Sequence, residues 1–378
     1  CAILGFVMVA VAIGFSWYAF DKLRLLFDPI YPSLAAGLVY VSASFLGYIS
    51  TEVEKRRVRH AFSHYMAPAM VERLAAHPEQ LKLGGETREV TVLFCDVRNF
   101  TGISERLDSE GLTHLINRFL TPMTNAVTAK QGFIDKYIGD CIMAFWNAPL
   151  DNPDHCAHAC AATLAMRERL VALNAELAKE GPPLAEISPL KIGIGLNTGV
   201  CTVGNLGSEH RFNYSVLGDT VNVSSRFEGM TKTFGVDIII GERTRELAPK
   251  FTVIELDLVR VRGRVAPTHI YGLLGDETLL ADENMRLLLS AHGEMIAAYR
   301  RRDWRAARQH LTACRLYDVT ERFAKLYKLY ENRLTQFDQH PPAEDWDGVV
   351  EGAVDQGAAM GRIREAAPAA PPSASAAQ

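Results

Sequence analysis

A paired-cysteine framework is missing. The seven Cys of this 378-residue chain (Cys1, Cys95, Cys141, Cys156, Cys160, Cys201 and Cys314) are scattered, mostly among apolar neighbours. That excludes a disulfide-stapled scaffold and places the bulk of the chain in a reducing compartment. A strong charge imbalance is missing too, since a net charge of −4 offers no electrostatic footprint for a nucleic-acid partner. The run DHCAHAC gathers His155, Cys156, His158 and Cys160, but zinc sites need two short ligand pairs separated by a longer gap, and no second pair follows. The run reads as a helix N-terminus. The first apolar stretch has neither a basic leading region nor a small-residue cleavage pattern, so it is not read as a signal peptide. The chain opens on Cys1 rather than Met, which suggests a fragment whose natural beginning lies upstream.

What the chain does have is an apolar start. Hydrophobic residues make up 48% of the sequence against 22% charged, and the excess sits in the first fifty positions. Ala2 to Phe20 and Ile30 to Ile49 are each long enough to span a bilayer, which takes roughly 20 residues per helix. Lys55, Arg56, Arg57 and Arg59 follow, so a pair of transmembrane helices (residues 1–49) would leave everything downstream on the cytoplasmic side of the cell membrane. Residues 50–82 read as a helical connector, which either forms a coiled seam with a second copy or packs on its own domain. Residues 83–275 alternate strands and helices around a central sheet. Residues 276–345 read as a helical appendage packed on the preceding domain or on its partner, one helix pair like those of tetratricopeptide arrays being too few for a stable solenoid, and 346–378 as a disordered tail rich in Ala, Gly, Pro and Ser.

Chemistry concentrates in the middle section. In EVTVLFCDVRNFT, Val90, Val92 and Phe94 alternate with Thr91, Leu93 and Cys95, a pattern for a largely buried strand that delivers Asp96 at its end. In GFIDKYIGDCIMAFW, apolar residues bracket a Gly139-Asp140 turn, placing a second carboxylate at the tip of a hairpin. Two such carboxylates on neighbouring strands can hold a pair of hard divalent cations, and the amides of Val97 to Thr101 can cradle phosphates between them. In YSVLGDTVNVSSRFE, Asn222 and Arg226 stand four apart and share one face of a helix. Leu190 to Leu196 reads as a further strand with Val200 to Asn205 as its partner, and Val236 to Ile240 as another.

With these three segments the chain resembles the class III nucleotidyl cyclases. The signature is carried by Phe94-x-Asp96-x-x-x-Phe100-Thr101, by Gly132-x-x-x-Lys136-x-x-Gly139-Asp140 and by Gly218-Asp219-x-Val221-Asn222-x-x-x-Arg226. The resemblance covers roughly Leu83 to Leu274, and three ordered motifs are far more specific than a lone glycine-rich loop. It implies an α+β fold, a ferredoxin-like βαββαβ core with additions. It also implies a homodimer in which one protomer contributes the metal carboxylates and the other the Lys, Asn and Arg.

The same resemblance assigns roles. Asp96 and Asp140 would hold two Mg²⁺ or Mn²⁺ ions per site, Asn222 would orient the ribose and Arg226 would stabilise charge developing on the α-phosphate. Phe100 and Thr101 would line the triphosphate turn. Arg262 or Arg264, in VRVRGRV, stands where the family has a basic residue for the triphosphate. Lys136 and Ser215 would read the base, and a Lys donor with a hydroxyl acceptor suits adenine. Guanylate-forming relatives generally carry Glu at the Lys position. Ser215 matches the subgroup with Ser or Thr there, and a hydroxyl that can both give and take a proton is expected to add little discrimination. The expected activity is conversion of ATP to 3′,5′-cyclic AMP and pyrophosphate at the cell membrane. The alternatives are a guanylate cyclase, or a silent nucleotide-binding regulatory module, which should have lost an Asp or the Arg. A diguanylate-type cyclase is disfavoured by the absence of a GG-[DE]-[DE]-F turn.

Overall fold

The computed structural model describes residues 2–25, parts of 30–49, and 84–349 apart from 183, 209, 261–266 and 344–345. The chain forms two units, residues 1–80 and 81–378. Of the first, the continuous element is helix α1 (Ala2–Leu23). The expected membrane-spanning pair is not supported, because no helix among the described residues is long and apolar enough to cross a membrane. The connector at 50–82, the tail from 350 onward and much of Ile30 to Ile49 lie outside the described residues.

The second unit is built on strand β1 (Gly84–Val97). Its stretch Val90 to Leu93 is fully buried on both faces, which is why the run is almost continuously apolar rather than half polar. Helix α2 (Phe100–Ser104) and helix α3 (Ser109–Ala129) follow. Asp108 caps α3 by accepting the Gly111 N–H at 2.8 Å. Strands β2 (Phe133–Ile138) and β3 (Cys141–Trp146) form the expected hairpin, with Gly139 at φ 65°, a conformation that favours glycine. Helix α4 (His155–Leu177) and the short α5 (Leu184–Ile187) lead to strand β4 (Ile192–Gly207).

Strand β4 corrects the sequence reading. What read as two strands either side of Asn197 to Gly199 is one strand of 16 residues, paired with β1 along the latter's whole length from Gly84↔Asn205 to Val97↔Ile192. Its glycines are there for close approach rather than for a turn. A Cβ on Gly195 would come within 2.2 Å of the Ser224 carbonyl oxygen on the helix packed above it.

Strand β5 (Phe212–Leu217) pairs with the far end of β4, and helix α6 (Asp219–Phe234) lies across β4 and β1. The Ser224 hydroxyl, shared between the carbonyls of Val92 at 2.6 Å and Gly195 at 3.1 Å, pins it there. Strand β6 (Ile238–Gly241), helix α7 (Glu242–Leu247) and strands β7 (Phe251–Val259) and β8 (Thr268–Asp276) complete the sheet. Its order is β2-β3-β1-β4-β6-β8-β7, with β4–β6 the parallel pair. The β1-α3-β2-β3-α4-β4 portion, antiparallel in the order β2-β3-β1-β4, is the expected ferredoxin-like core.

Two apolar layers flank the sheet. On one side Phe119, Met123 and Val127 of α3 and Cys160, Met166 and Leu170 of α4 pack on Leu93, Cys95 and Ile194. On the other, Phe227, Met230 and Phe234 of α6 share a core with the C-terminal helices α8 (Glu283–Arg300), α9 (Trp304–Tyr317) and α10 (Ala324–Gln339). These helices are joined to the sheet by a buried Arg333–Asp257 ion pair at 2.7 Å and by Tyr330, which donates to the Leu256 carbonyl at 2.7 Å. They are therefore not a free-standing solenoid but a third layer over β7 and α6. The DHCAHAC run is absorbed into the fold. Thr91 Oγ meets His155 Nδ1 at 2.7 Å, Cys156 Sγ at 3.2 Å and Thr198 Oγ at 2.8 Å, a buried polar cluster at the start of α4.

Candidate active site

The β1–β3 register, ending at Cys95↔Ile142, puts the last residues of β1 beside the β2–β3 turn. Asp96 and Asp140 are thereby brought together. Asp140 Oδ2 accepts the Val97 N–H at 3.2 Å. Its carboxyl is pushed up to about 7, first by burial and then by the hydrogen bond and charge of Asp96. Two carboxylates crowded this way are a donor set that a divalent cation relieves, so the pair fits a hard metal ion. Among the described residues no group of three or more His, Cys, Asp or Glu is arranged as a metal cage.

The turn after β1 departs from expectation in part. Asn99 takes a left-handed conformation (φ 59°, ψ 32°) and α2 begins at once. Two of the five amides expected to cradle phosphate are already engaged, Val97 on Asp140 and Arg98 on the Lys191 carbonyl at 2.8 Å. Those of Asn99, Phe100 and Thr101 lead the helix. Phe100 is half-buried against the α3 side of the core, and Thr101 is exposed.

The residues expected to read the base also converge. Phe133 and Phe145 pack on Tyr214 with ring centroids 5.6 and 6.3 Å apart, which draws β2 against β5. Lys136 Nζ then donates to Ser215 Oγ at 3.4 Å. Asn222 and Arg226 lie in the first turns of α6 on a common face, Asn222 exposed and Arg226 partly buried. Arg262 and Arg264 lie outside the described residues.

Two acidic residues escaped the sequence reading. Asp135 accepts from Ser215 Oγ at 2.7 Å. Glu228 is buried beside Gly193, the residue opposite Asp96 in the β1–β4 register, and a Cβ on Gly193 would come within 2.6 Å of Glu228 Oε1. Its carboxyl is pushed up to about 7, first by burial and then by Asp96. A signal existed for each: Asp135 adjoins Lys136 in a strand, and Glu228 falls one helical turn and a half beyond Asn222, facing the small residues of IGIGLN.

The family model for the adenylate and guanylate cyclase catalytic domain matches residues 84–275. The chain belongs to this family, the class III nucleotidyl cyclases. It is 33% identical to adenylate cyclase 1 of Rhizobium meliloti over 189 residues, which is 50% of this chain and 28% of that protein. It is 34% identical to the adenylate cyclase of Anabaena cylindrica over 198 residues, 51% of this chain and 38% of that protein. The chain thus spans well under half the length of these curated relatives. A solved bacterial light-regulated adenylyl cyclase shares the fold with a TM-score of 0.51 at 23% identity, over 61% of this chain and 64% of that one.

Proposed function

We propose that the chain is an adenylate cyclase that converts ATP to 3′,5′-cyclic AMP and pyrophosphate in a homodimer with two shared sites. The observation that carries the choice of base is the meeting of Lys136 with Ser215 at 3.4 Å. A Lys donor beside a hydroxyl acceptor complements N1 and the 6-amino group of adenine, whereas guanine presents a donor and an acceptor in the opposite order. In this reading the Arg226 guanidinium stabilises charge that builds on the α-phosphate as the ribose 3′-oxygen attacks, and Asn222 holds the ribose in line. Two Mg²⁺ or Mn²⁺ ions on Asp96 and Asp140 would supply Lewis-acid polarisation and hydroxyl activation when bound. Arg262 or Arg264 would meet the triphosphate.

The homodimer is supported by exposed apolar side chains on the elements that carry the site, namely Tyr137 and Ile138 on β2, Val200 on β4 and Leu217 on β5, each more than 40% exposed. A place at the cell membrane, catalytic unit on the cytoplasmic side, rests on the apolar N-terminal sequence and the basic Lys55 to Arg59 run, and membrane fractionation of the full chain tests it. The catalytic proposal is tested by incubating the chain with ATP or GTP and Mn²⁺ and quantifying cyclic nucleotide. Cyclic AMP as the main product is expected; cyclic GMP alone, or no product, overturns it.

A further inference from the structure

Three polar side chains meet where β2 approaches β5, and one of them was not anticipated as part of the site. The Asp135 side chain is fully buried, while that of Lys136, its neighbour, is 44% exposed. Ser215 Oγ donates to Asp135 Oδ2 at 2.7 Å, and Lys136 Nζ donates to the same Oγ at 3.4 Å. Asp135 Oδ1 stands 3.5 Å from Lys136 Nζ and has no hydrogen-bond partner. A buried carboxylate left partly unsatisfied is costly. A fold that keeps one beside a binding surface is using it for something other than stability.

The consequence follows from the proton count of a hydroxyl. Serine has one proton to give, and a carboxylate can only accept. Once Ser215 has given its proton to Asp135, its oxygen presents lone pairs alone to any third partner. Such an oxygen accepts from the 6-amino group of adenine and meets the 6-oxo group of guanine lone pair against lone pair. A free serine hydroxyl would instead rotate to satisfy either base. The expectation that Ser215 adds little discrimination treated it as free.

We propose that Asp135 is a positioning residue for base selectivity: by holding the Ser215 hydroxyl as an obligate acceptor, it makes the second base contact select ATP over GTP. The proposal rests on the adenylate cyclase reading above. Its test is therefore made on binding as well as turnover, so that the two can fail separately. Dissociation constants for ATP and GTP, with Ca²⁺ in place of the catalytic cation, are measured for the wild-type chain, Asp135→Ala, Ser215→Ala and the double variant. Product formation with Mn²⁺ is followed in parallel.

Wild type should bind ATP more tightly than GTP, and Asp135→Ala should shrink that ratio about tenfold, chiefly by admitting GTP. Ser215→Ala should shrink it by a similar factor, and the double variant should go no further, because Asp135 acts through Ser215. A merely structural role would weaken both nucleotides together and leave the ratio in place, which overturns the proposal. So does a wild-type chain without preference, or a double variant whose ratio falls by the product of the two single effects. Should Asp135→Ala fail to fold, the small Ser215→Ala change carries the same expectation, and an unchanged ratio there is equally fatal. Loss of product with the binding ratios as expected would overturn the cyclase reading alone.

Discussion

Asp96 and Asp140 repel one another at close range, with the Asp140 carboxyl pushed up to about 7 by burial first and by Asp96 second. Replacing either should therefore relieve repulsion rather than open a hole. Asp96→Ala or Asp140→Ala is expected to lower cyclic nucleotide formation by at least about a hundredfold, with a melting temperature equal to wild type or higher. Near-normal turnover in either variant would remove the metal-pair assignment. At the base, an ammonium covered by a ring that offers it no acceptor forfeits roughly 1–3 kcal/mol. Lys136→Glu should depress kcat/KM for ATP and relax selectivity towards GTP. Full conversion is not expected, because guanine's 2-amino and 6-oxo groups need more than one altered contact. An unchanged ATP preference would mean that the base is read elsewhere. These residues were legible because fixed spacings within single segments carry them. Asp135 and Glu228 were not, because what gives each its part is a partner about 80 or more than 130 positions away, Ser215 for one and Asp96 for the other.

Elements divide along the same line. The β1 strand and the β2–β3 hairpin could be read from local alternation and a Gly-Asp turn. Strand β4 could not, since Asn197-Thr198-Gly199 looks like a break until α6 is known to press on the glycines beside it. The C-terminal helices were legible as an appendage packed on the catalytic domain or its partner, but which of the two, and that they share the core of α6, was not, because amphipathic faces do not name their partners. One of them predicts its own pH response. His292 of α8 is 2% exposed and its Nε2–H donates to the Glu255 carbonyl at 2.6 Å, while Nδ1 is buried without a partner. Burial holds its pKa down at about 4, against the opposing pull of Glu255 and with a smaller contribution from Arg300. Between pH 6.5 and 4 the unfolded chain takes up a proton that the folded chain refuses, so stability falls as pH drops through this window and the contribution levels off below 4. The loss amounts to about 3 kcal/mol. Urea unfolding at pH 7.5, 6.5, 5.5 and 4.5 should show this component in wild type and not in His292→Gln. Parallel curves for the two chains would mean that His292 is charged in the fold.

For the whole molecule, the question is whether one chain makes a site. The structure brings Asp96 to Asp140 and, separately, Lys136 to Ser215, while Asn222 is exposed on α6. In the proposed two-fold assembly each site takes its carboxylates from one protomer and its Lys, Asn and Arg from the other. An Asp96→Ala chain and an Arg226→Ala chain should each be inactive alone. In a heterodimer of the two, one site carries both defects and the other carries neither. Random association of equal amounts makes half the dimers mixed, each with one intact site of two, so the mixture should recover about a quarter of wild-type activity. Mixing the purified variants, allowing subunits to exchange and following cyclic nucleotide formation measures this directly. Exchange is verified independently with fluorescently labelled chains. A mixture that exchanges yet stays as inactive as its parents would require Asp96 and Arg226 of each site to come from the same chain, because a site that takes them from different protomers leaves that heterodimer with one intact copy.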